Sequence, residues 1–188
     1  MSINLTKGGR INLAKEAPGL NKVGIGLGWD TNQYAGAQYD LDTSVFMLTG
    51  KGKLMADDYF VFYNNLRSPD GSVQHKGDNR SGAGDSDDET IEINLDRING
   101  DITEILFVTT LHEADIRRQN FGQVRNAYIR IYDMNTNREI AIYDLDEDFS
   151  TETAVEFGKL YKQDNQWRFM AVGQGSANGL QGFVDRYA

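Results

Sequence analysis

One segment of the chain, from Gly77 to Glu89, has the side chains best suited to bind a ligand. It reads GDNRSGAGDSDDE, with five carboxylates, one asparagine, three glycines and a single apolar residue. Carboxylates held in one loop repel each other by about 1–4 kcal/mol per pair at about 4 Å, for an effective dielectric constant between those of water and a protein surface. A charge run is usually a solvated loop. Here glycines and asparagine interrupt the acids, so backbone carbonyls can also turn inward, and we predict a metal site.

The chemistry of these donors favours calcium. All of them are oxygen atoms on a deformable loop, and calcium accepts about 6–8 oxygen ligands in loose geometry, whereas magnesium requires a tight octahedron. The chain has no cysteine, and its only histidines are His75 and His112. The softer ligands that zinc and copper prefer are therefore scarce.

Two more acids, Asp40 and Asp42, stand at the start of an apolar segment that runs to Leu48. Because side chains alternate along a strand, both carboxylates point the same way. Alone, the pair is better explained as edge-strand charges that discourage aggregation. Considered with Asp30 and the segment 77–89, the pair predicts a shared acidic pocket at one end of a β-sandwich.

Short segments of alternating apolar residues recur along the chain, separated by glycine, proline, asparagine and aspartate turns. This pattern predicts an all-β fold. The expected strands are 3–5 and 10–13, joined as an opening hairpin, then 22–30, 39–48, 58–64, 90–95, 102–111, the hairpin of 127–132 with 139–144, 154–161 and 167–172. Residues 154–161 also fit a helical stripe, but the two-residue turn Asp164–Asn165 favours a hairpin. With an amphipathic helix at 178–187, we expect a two-sheet β-sandwich with short helices, including one at the C-terminus.

The strand Lys22–Asp30 (KVGIGLGWD) carries glycine at every second position. A dinucleotide-binding loop needs its glycines between a strand and a helix, whereas these glycines lie inside the strand. Glycine on one face of a strand usually means that another backbone or a bulky ring lies close against it. We therefore interpret these glycines as packing positions.

The composition limits the classes of protein to which this chain can belong. A length of 188 residues suits one domain, which we expect to span residues 1–188. The formal net charge of −9 argues against nucleic acid as a partner, because a duplex binder needs a basic face. The longest apolar run is too short to span a bilayer. The first residues lack the apolar segment of a signal peptide, so we expect a cytoplasmic location.

Several motifs together resemble the TerD family of tellurium-resistance and stress-response proteins. They are LTKGGRINL, GLGWD, DLDTSVFML, YNNLRSPDGSV, GDNRSGAGDSDDETIEI, HEADIRRQNFGQV and AVGQGSANGL, and they extend nearly from end to end of the chain. The resemblance implies a TerD-like β-sandwich, loosely like a C2 domain, that binds a pair of adjacent Ca²⁺ ions through acidic loops in the bacterial cytoplasm. It also implies an operon-encoded response to tellurite and other stresses, with other proteins of that system as partners and no established enzymatic reaction.

Positions that match the family's motifs give the metal ligands that the resemblance implies. They are Asp40 and Asp42 of DLD, Asn65 of YNN, and Asp78, Asn79, Gly82, Asp85, Asp87, Asp88 and Glu89, with Asp30 of GWD as a further candidate. The resemblance implies no catalytic residue and no cofactor other than Ca²⁺.

Three functions stay open from the sequence. The first is a non-enzymatic module in which calcium turns the acidic loops into a rigid surface for a partner protein. The second is a hydrolase that uses the same acids to hold two divalent ions for phosphoester cleavage, with His75 or His112 as acid or base, although an ordinary hydrogen-bonded histidine is the simpler explanation of each. The third is a calcium-dependent membrane binder, by analogy with C2 domains alone. It would need exposed apolar residues at the loop tips, and we expect none here.

Overall fold

The alternating apolar segments form β-strands in the computed structural model, which describes residues 1–30, 39–77, 87–147 and 149–188. The strands are β1 Ile3–Leu5, β2 Arg10–Asn12, β3 Lys22–Gly28, β4 Leu41–Thr49, β5 Phe60–Val61, β6 Val73–His75, β7 Glu89–Asn94, β8 Ile102–Leu111, β9 Tyr128–Asp133, β10 Arg138–Asp144, β11 Ala154–Gln163 and β12 Gln166–Ser176. The helices are α1 Leu13–Glu16, α2 Ala114–Arg117 and α3 Gly179–Tyr187, with 3-10 turns at Asp57–Tyr59, Leu95–Arg97 and Phe121–Gln123.

The twelve strands of the described residues divide equally between two sheets. The first sheet has the order β1-β10-β9-β3-β7-β6, and the second has the order β2-β12-β11-β8-β4-β5. Strand β1 pairs with β10 in parallel, and the other strand pairings of the described chain are antiparallel. The predicted two-sheet β-sandwich with short helices is confirmed.

The main core lies between the sheets. Ile25 and Ile131 contribute fully buried side chains from the first sheet, and Phe107 and Leu160 contribute them from the second. Burying one such side chain stabilises the fold by about 1.5–3 kcal/mol. The central position of β8 explains why residues 102–111 are nearly continuous apolar sequence, because both faces of this strand are covered.

A second apolar layer lies on the outer face of the second sheet, where α3 packs. Phe183 of this helix joins a buried cluster that includes Phe46 and Leu106. Tyr187 completes the contact, because its hydroxyl donates to Glu156 Oε2 at 3.1 Å. Burial, together with the neighbouring Glu156, raises the pKa of Tyr187 to about 12. The predicted C-terminal capping helix is confirmed.

The opening segments do not form the hairpin predicted for them. Strand β1 extends the first sheet beside β10, whereas β2 extends the second sheet beside β12. The connection between them crosses from one sheet to the other, with Gly8 at a φ of +81° and its N–H donating to Ala171 O at 2.8 Å. The prediction was wrong because alternation identifies a strand without identifying its partner, and the edge of β12 supplies the hydrogen bonds here.

The predicted strand 58–64 is reduced to Phe60–Val61. The chain then reverses at Phe62–Asn65, where each residue's N–H donates to the other's carbonyl at 3.0 Å. The Asn65 side-chain amide also donates to Phe60 O at 2.7 Å and to Asp58 O at 3.0 Å. Aromatic content predicted a longer strand, and this was wrong because side-chain hydrogen bonds lock a turn immediately after it.

The ambiguous segment 154–161 is a strand, as predicted. Strands β11 and β12 form a hairpin whose two turn residues, Asp164 and Asn165, have φ values of +52° and +59°. Positive φ at both central residues is the requirement of a type I′ turn, which aspartate and asparagine tolerate well. The turn chemistry therefore settled the choice between helix and strand.

The glycines of β3 are packing positions, as predicted. Gly24 lies under the ring of Tyr132 on β9, and a Cβ added there would overlap the ring.

We expect Gly24→Ala to lower the free energy of unfolding by about 1–3 kcal/mol, the usual cost of overpacking. Gly50→Ala is the control, because an added Cβ there meets nothing within 4 Å. Urea denaturation measures both variants, and equal stabilities would contradict the packing interpretation.

Candidate metal centre

The ends of four strands bring acidic residues to one end of the sandwich. The first residue of β7, Glu89, pairs with Leu27, which is one residue before the end of β3. The first residue of β4, Leu41, pairs with the last residue of β8, Leu111. The residues that begin, precede or follow these strands include Asp30, Asp40, Asp42, Asp87, Asp88 and Glu89. We refer to this part of the molecule as the acidic end.

Glu89 and His75 tie the two sheets together at the acidic end. Glu89 Oε2 accepts a hydrogen bond from Thr43 N at 2.8 Å, and His75 Nε2 lies 3.1 Å from Thr43 O. Gly77 N donates to His75 Nδ1 at 3.0 Å, so Nε2 carries the ring proton and donates to the Thr43 carbonyl. Both side chains are buried. They fasten β4 of the second sheet to β6 and β7 of the first.

Asp87 forms a partly buried ion pair with Arg130. Arg130 Nε donates to Oδ1 at 2.8 Å and Nη2 to Oδ2 at 2.7 Å, and the Tyr128 hydroxyl donates to Oδ1 at 2.8 Å. The carboxylate covers Gly26, where an added Cβ would collide with it. The hydrogen bonds from Arg130 to this carboxylate raise the pKa of Arg130. The pKa of Tyr128 is also raised, mainly by burial and secondly by its hydrogen bond to Asp87. The assignment of Asp87 as a metal ligand stays a prediction.

Asp88 lies between strands β3 and β7 in a crowded, negatively charged environment. Its N–H donates to Leu27 O at 2.8 Å, and its Oδ2 accepts from Trp29 N at 2.9 Å. Burial raises the pKa of the Asp88 carboxyl, the bond from Trp29 lowers it, and the nearby charges of Asp87 and Asp30 raise it further. The net shift is upward, so the surroundings disfavour the carboxylate form.

Asp40 and Asp42 lie at the start of β4, beside the end of β8. His112 N donates to Asp40 O at 2.7 Å, and His112 Nδ1 lies 3.9 Å from Asp42 Oδ2. Asp40 Oδ1 is buried and has no hydrogen-bond partner among the residues that the structure describes. A buried polar oxygen of this kind is costly unless a bond or a cation compensates it.

The remaining predicted ligands are placed differently. Asp30 is exposed, and its Oδ2 accepts from Asn126 Nδ2 at 2.6 Å. The Asn65 amide nitrogen is engaged within its own turn, so only its side-chain oxygen stays available for a metal. Four predicted ligands lie outside the described residues: Asp78, Asn79, Gly82 and Asp85.

The donors that the structure brings together suit a hard cation. They are carboxylate and amide oxygens, the ligand types of calcium. Within 1–30, 39–77, 87–147 and 149–188 alone, no group of three His, Asp or Glu residues is arranged to hold a metal ion. A complete site would therefore also need donors from segment 78–86.

Sequence reasoning missed a second acidic segment at the same end. The sequence YDLD occurs at residues 39–42 and again at 143–146, and this repeat was the available signal. Gly28 pairs with Tyr128, and Tyr128 pairs with Asp144. Strand β10 therefore brings Asp144 to the end of the sheet where β3 finishes.

The loop tips also differ from expectation. Tyr63 and Leu66, on either side of Asn65, are 50% and 41% exposed. The expectation that the loops carry no exposed apolar residue was therefore wrong. The cause is the Phe62–Asn65 turn, which removes Tyr63 from the strand that would have covered it.

These features define a β-sandwich with two six-stranded sheets and a candidate cation site at its acidic end. The TerD domain matches residues 1–187. The chain belongs to the TerD family, and the resemblance seen in its motifs is confirmed.

Named relatives cover the whole chain. The chain is 51% identical over 187 residues to tellurium resistance protein TerD of Alcaligenes sp, covering 100% of this chain and 97% of that protein. It is 49% identical over 188 residues to general stress protein 16U of Bacillus subtilis (strain 168), again covering 100% and 97%. The family is thus one of tellurium-resistance and stress-response proteins.

A solved structure agrees with the fold. The crystal structure of a homologue of telluride resistance protein (TerD) from Streptomyces coelicolor A3(2) matches with a TM-score of 0.72 at 20% identity, covering 88% of this chain and 96% of that one. At 20% identity, this similarity is evidence for the fold alone.

In the described part of the chain, no helix has the length and apolar character needed to cross a bilayer.

Proposed function

We propose that this chain is a calcium-binding, non-enzymatic component of a bacterial tellurite- and stress-resistance system. Its acidic loops would hold a pair of adjacent Ca²⁺ ions and thereby make a partner-binding surface rigid. The observation that carries this proposal is the buried Oδ1 of Asp40 at the acidic end, which has no hydrogen-bond partner among the described residues. A bound cation would supply that partner. It would also offset the repulsion from Asp87 and Asp30, which adds to the effect of burial in raising the pKa of Asp88.

We assign two roles to the acids of this end. Asp87 and Glu89 are already engaged by Arg130 and Thr43, so they would mainly hold the walls of the site in position. The oxygen ligands would come from Asp40, Asp42 and Asp88, from Asn65, and from Asp78, Asn79, Gly82 and Asp85, with Asp30 at the edge. Calcium, when bound, supplies the positive charge that lets these carboxylates lie close together.

The names of the relatives support the physiological part of the proposal, because they refer to tellurium resistance and general stress. Direct chemistry on tellurite is not proposed. Tellurite is an oxyanion, which an acidic end repels in the absence of calcium, and the chain has no thiol to reduce it. We therefore propose other proteins of the same system as partners, in the cytoplasm.

The arrangement of His75 supports a non-enzymatic role. Its two ring nitrogens are bonded to Gly77 N and Thr43 O, and the ring is buried. A general acid or base must instead reach the substrate. His75 therefore explains how the sheets are joined and offers no support for a phosphoester hydrolase.

Calorimetric titration of the metal-stripped protein tests calcium binding. We expect saturable binding of Ca²⁺ in preference to Mg²⁺, because the proposed donors are numerous oxygen atoms. Asp40→Asn should weaken the affinity for Ca²⁺ by about tenfold or more, since it removes one ligand charge at a buried position. Asp101→Asn, on an exposed turn at the start of β8, is the control. Preference for Mg²⁺, absence of binding, or an equal effect of both variants would overturn the proposal.

A membrane surface is the second candidate partner of the acidic end, favoured by the exposed side chains of Tyr63 and Leu66 beside Asn65. Apolar tips next to a calcium site could enter the headgroup region while the cation contacts lipid phosphates. Co-sedimentation with phosphatidylserine vesicles, with Ca²⁺ and with chelator, tests this candidate. Calcium-dependent sedimentation that Tyr63→Ser abolishes would support a membrane partner over a protein partner.

A further inference from the structure

An open groove lies between α2, the end of β8 and α3. Its volume is about 620 Å³, within the range of about 300–1,000 Å³ that is usual for ligand sites. Leu111 and Ala114 form part of a buried floor. One face of α3, which includes Gly182 and Asp185, forms a wall. We call this feature the α2–α3 groove.

An aliphatic side chain at the rim of the groove is exposed to solvent. Ile116 is 81% exposed and belongs to α2, which is a single helical turn. The residues at both ends of this turn, Glu113 and Arg118, have left-handed backbones with φ of +51° and +53°. Neither is glycine, and such conformations persist only where the surrounding structure holds them, often at ligand sites. The fold therefore maintains a strained turn that presents Ile116 to solvent.

The charge of the groove is negative. Glu113, Asp115 and Asp185 line it, and none of the described residues that line it is lysine or arginine. Arg117, at the end of α2, lies 3.4 Å from Glu113 Oε2 and partly neutralises that carboxylate. Asp115 and Asp185 thus set the sign of the potential, which attracts cationic side chains.

We propose that the α2–α3 groove binds a short, extended, basic segment of a partner protein. One aliphatic side chain of the segment packs against Ile116, and lysine or arginine on either side faces Asp115 and Asp185. The α3 face from Asn178 to Asp185 is about 10 Å long, which matches three residues of an extended peptide at about 3.3 Å each. A second copy of this chain is disfavoured as the occupant, because each copy has a net charge of −9.

The groove contains none of the predicted metal ligands, so this proposal does not depend on calcium binding. The two features are nevertheless neighbours, because the residue between them, His112, donates its N–H to Asp40 O. Measurement of peptide binding in chelator separates the two proposals. Peptide binding without calcium supports the groove even if the acidic end binds no metal.

Fluorescence anisotropy with two labelled peptides, Arg-Lys-Leu-Lys-Arg and Arg-Lys-Ser-Lys-Arg, tests the proposal. At about 0.15 M salt, where charges are screened beyond about 8 Å, we expect the leucine peptide to bind and the serine peptide to bind about tenfold more weakly, since it lacks the apolar contact. Ile116→Ser and Asp185→Lys should each weaken binding of the leucine peptide by about tenfold.

Asp101→Lys is the matched control, because it changes the net charge as Asp185→Lys does but lies on an exposed turn outside the groove. It should change the affinity by less than about twofold. Amide chemical shifts should move at residues 111–117 and 177–185. Absence of binding, equal binding of both peptides, an equal effect of the control, or shifts confined to other regions would overturn the proposal. Since Ile116 is mostly exposed, Ile116→Ser keeps the test valid even if Asp185→Lys fails to fold.

Discussion

We expect calcium to raise the melting temperature of the metal-free protein, and we expect replacement of both Asp40 and Asp42 by asparagine to remove most of the rise. In the absence of metal, the acidic end holds carboxylates that repel each other and a buried Asp40 Oδ1 without a hydrogen-bond partner among the described residues. A ligand that binds only the folded state stabilises it by about 2.7 kcal/mol per site at 100 times its Kd. For a chain of this size, that corresponds to a rise of about 5–10 °C.

The matched control removes two charges from the opposite end of the sandwich. Asp96 and Asp101 are exposed residues between the end of β7 and the start of β8. Asp96→Asn with Asp101→Asn changes the net charge by the same amount, so we expect the calcium-dependent rise to persist. Differential scanning calorimetry with Ca²⁺, with Mg²⁺ and with chelator makes the comparison. A rise that both double variants lose equally would show a general charge effect instead of a site.

Most of the fold could be predicted because its signals are local. The alternation within β7, the nearly continuous apolar run of β8 and the Asp164–Asn165 turn between β11 and β12 are each visible within about ten residues of sequence. The partner of each short edge strand is not local information. For this reason β1 and β2 were predicted as a hairpin, although they extend different sheets. The Asn65 bonds that end β5 are likewise a matter of side-chain geometry.

The sequence identified the acids of the candidate site, but it did not reveal which side chains they contact. Asp87 and Glu89 were placed among the candidate ligands because they belong to the acidic segment 77–89 and match the motif of the family. Their contacts are distant in sequence: Glu89 bonds to Thr43, 46 residues away, and Asp87 to Arg130, 43 residues away. No local pattern marks such pairs. The one partial signal was Gly26, whose missing side chain indicated close packing, although a carboxylate and not a ring covers it.

Arg130→Met tests the role of Asp87 directly, with a large expected loss of stability. The Asp87 side chain is 8% exposed and that of Arg130 is 24% exposed, so removal of the guanidinium leaves a mostly buried carboxylate with only the Tyr128 hydroxyl as a described partner. Breaking a buried ion pair in this way costs about 3–5 kcal/mol. Since Arg130 is partly hydrated, we expect the lower end, about 3 kcal/mol, as the fall in the free energy of unfolding measured with urea in chelator.

The control and the calcium affinity decide what that loss means. Arg168→Met removes a guanidinium of similar exposure, 26%, which lies 3.8 Å from Asp164, a side chain that is 80% exposed. It should lower the free energy of unfolding by no more than about 1 kcal/mol, as loss of a surface pair does.

If Asp87 belongs to the scaffold, adding Asp87→Asn to Arg130→Met recovers part of the stability, because the unpaired charge is gone. The affinity of Arg130→Met for Ca²⁺ then stays close to that of the unmodified chain. A tighter affinity would instead show that the carboxylate released from Arg130 binds the metal, and Asp87 would join the ligands.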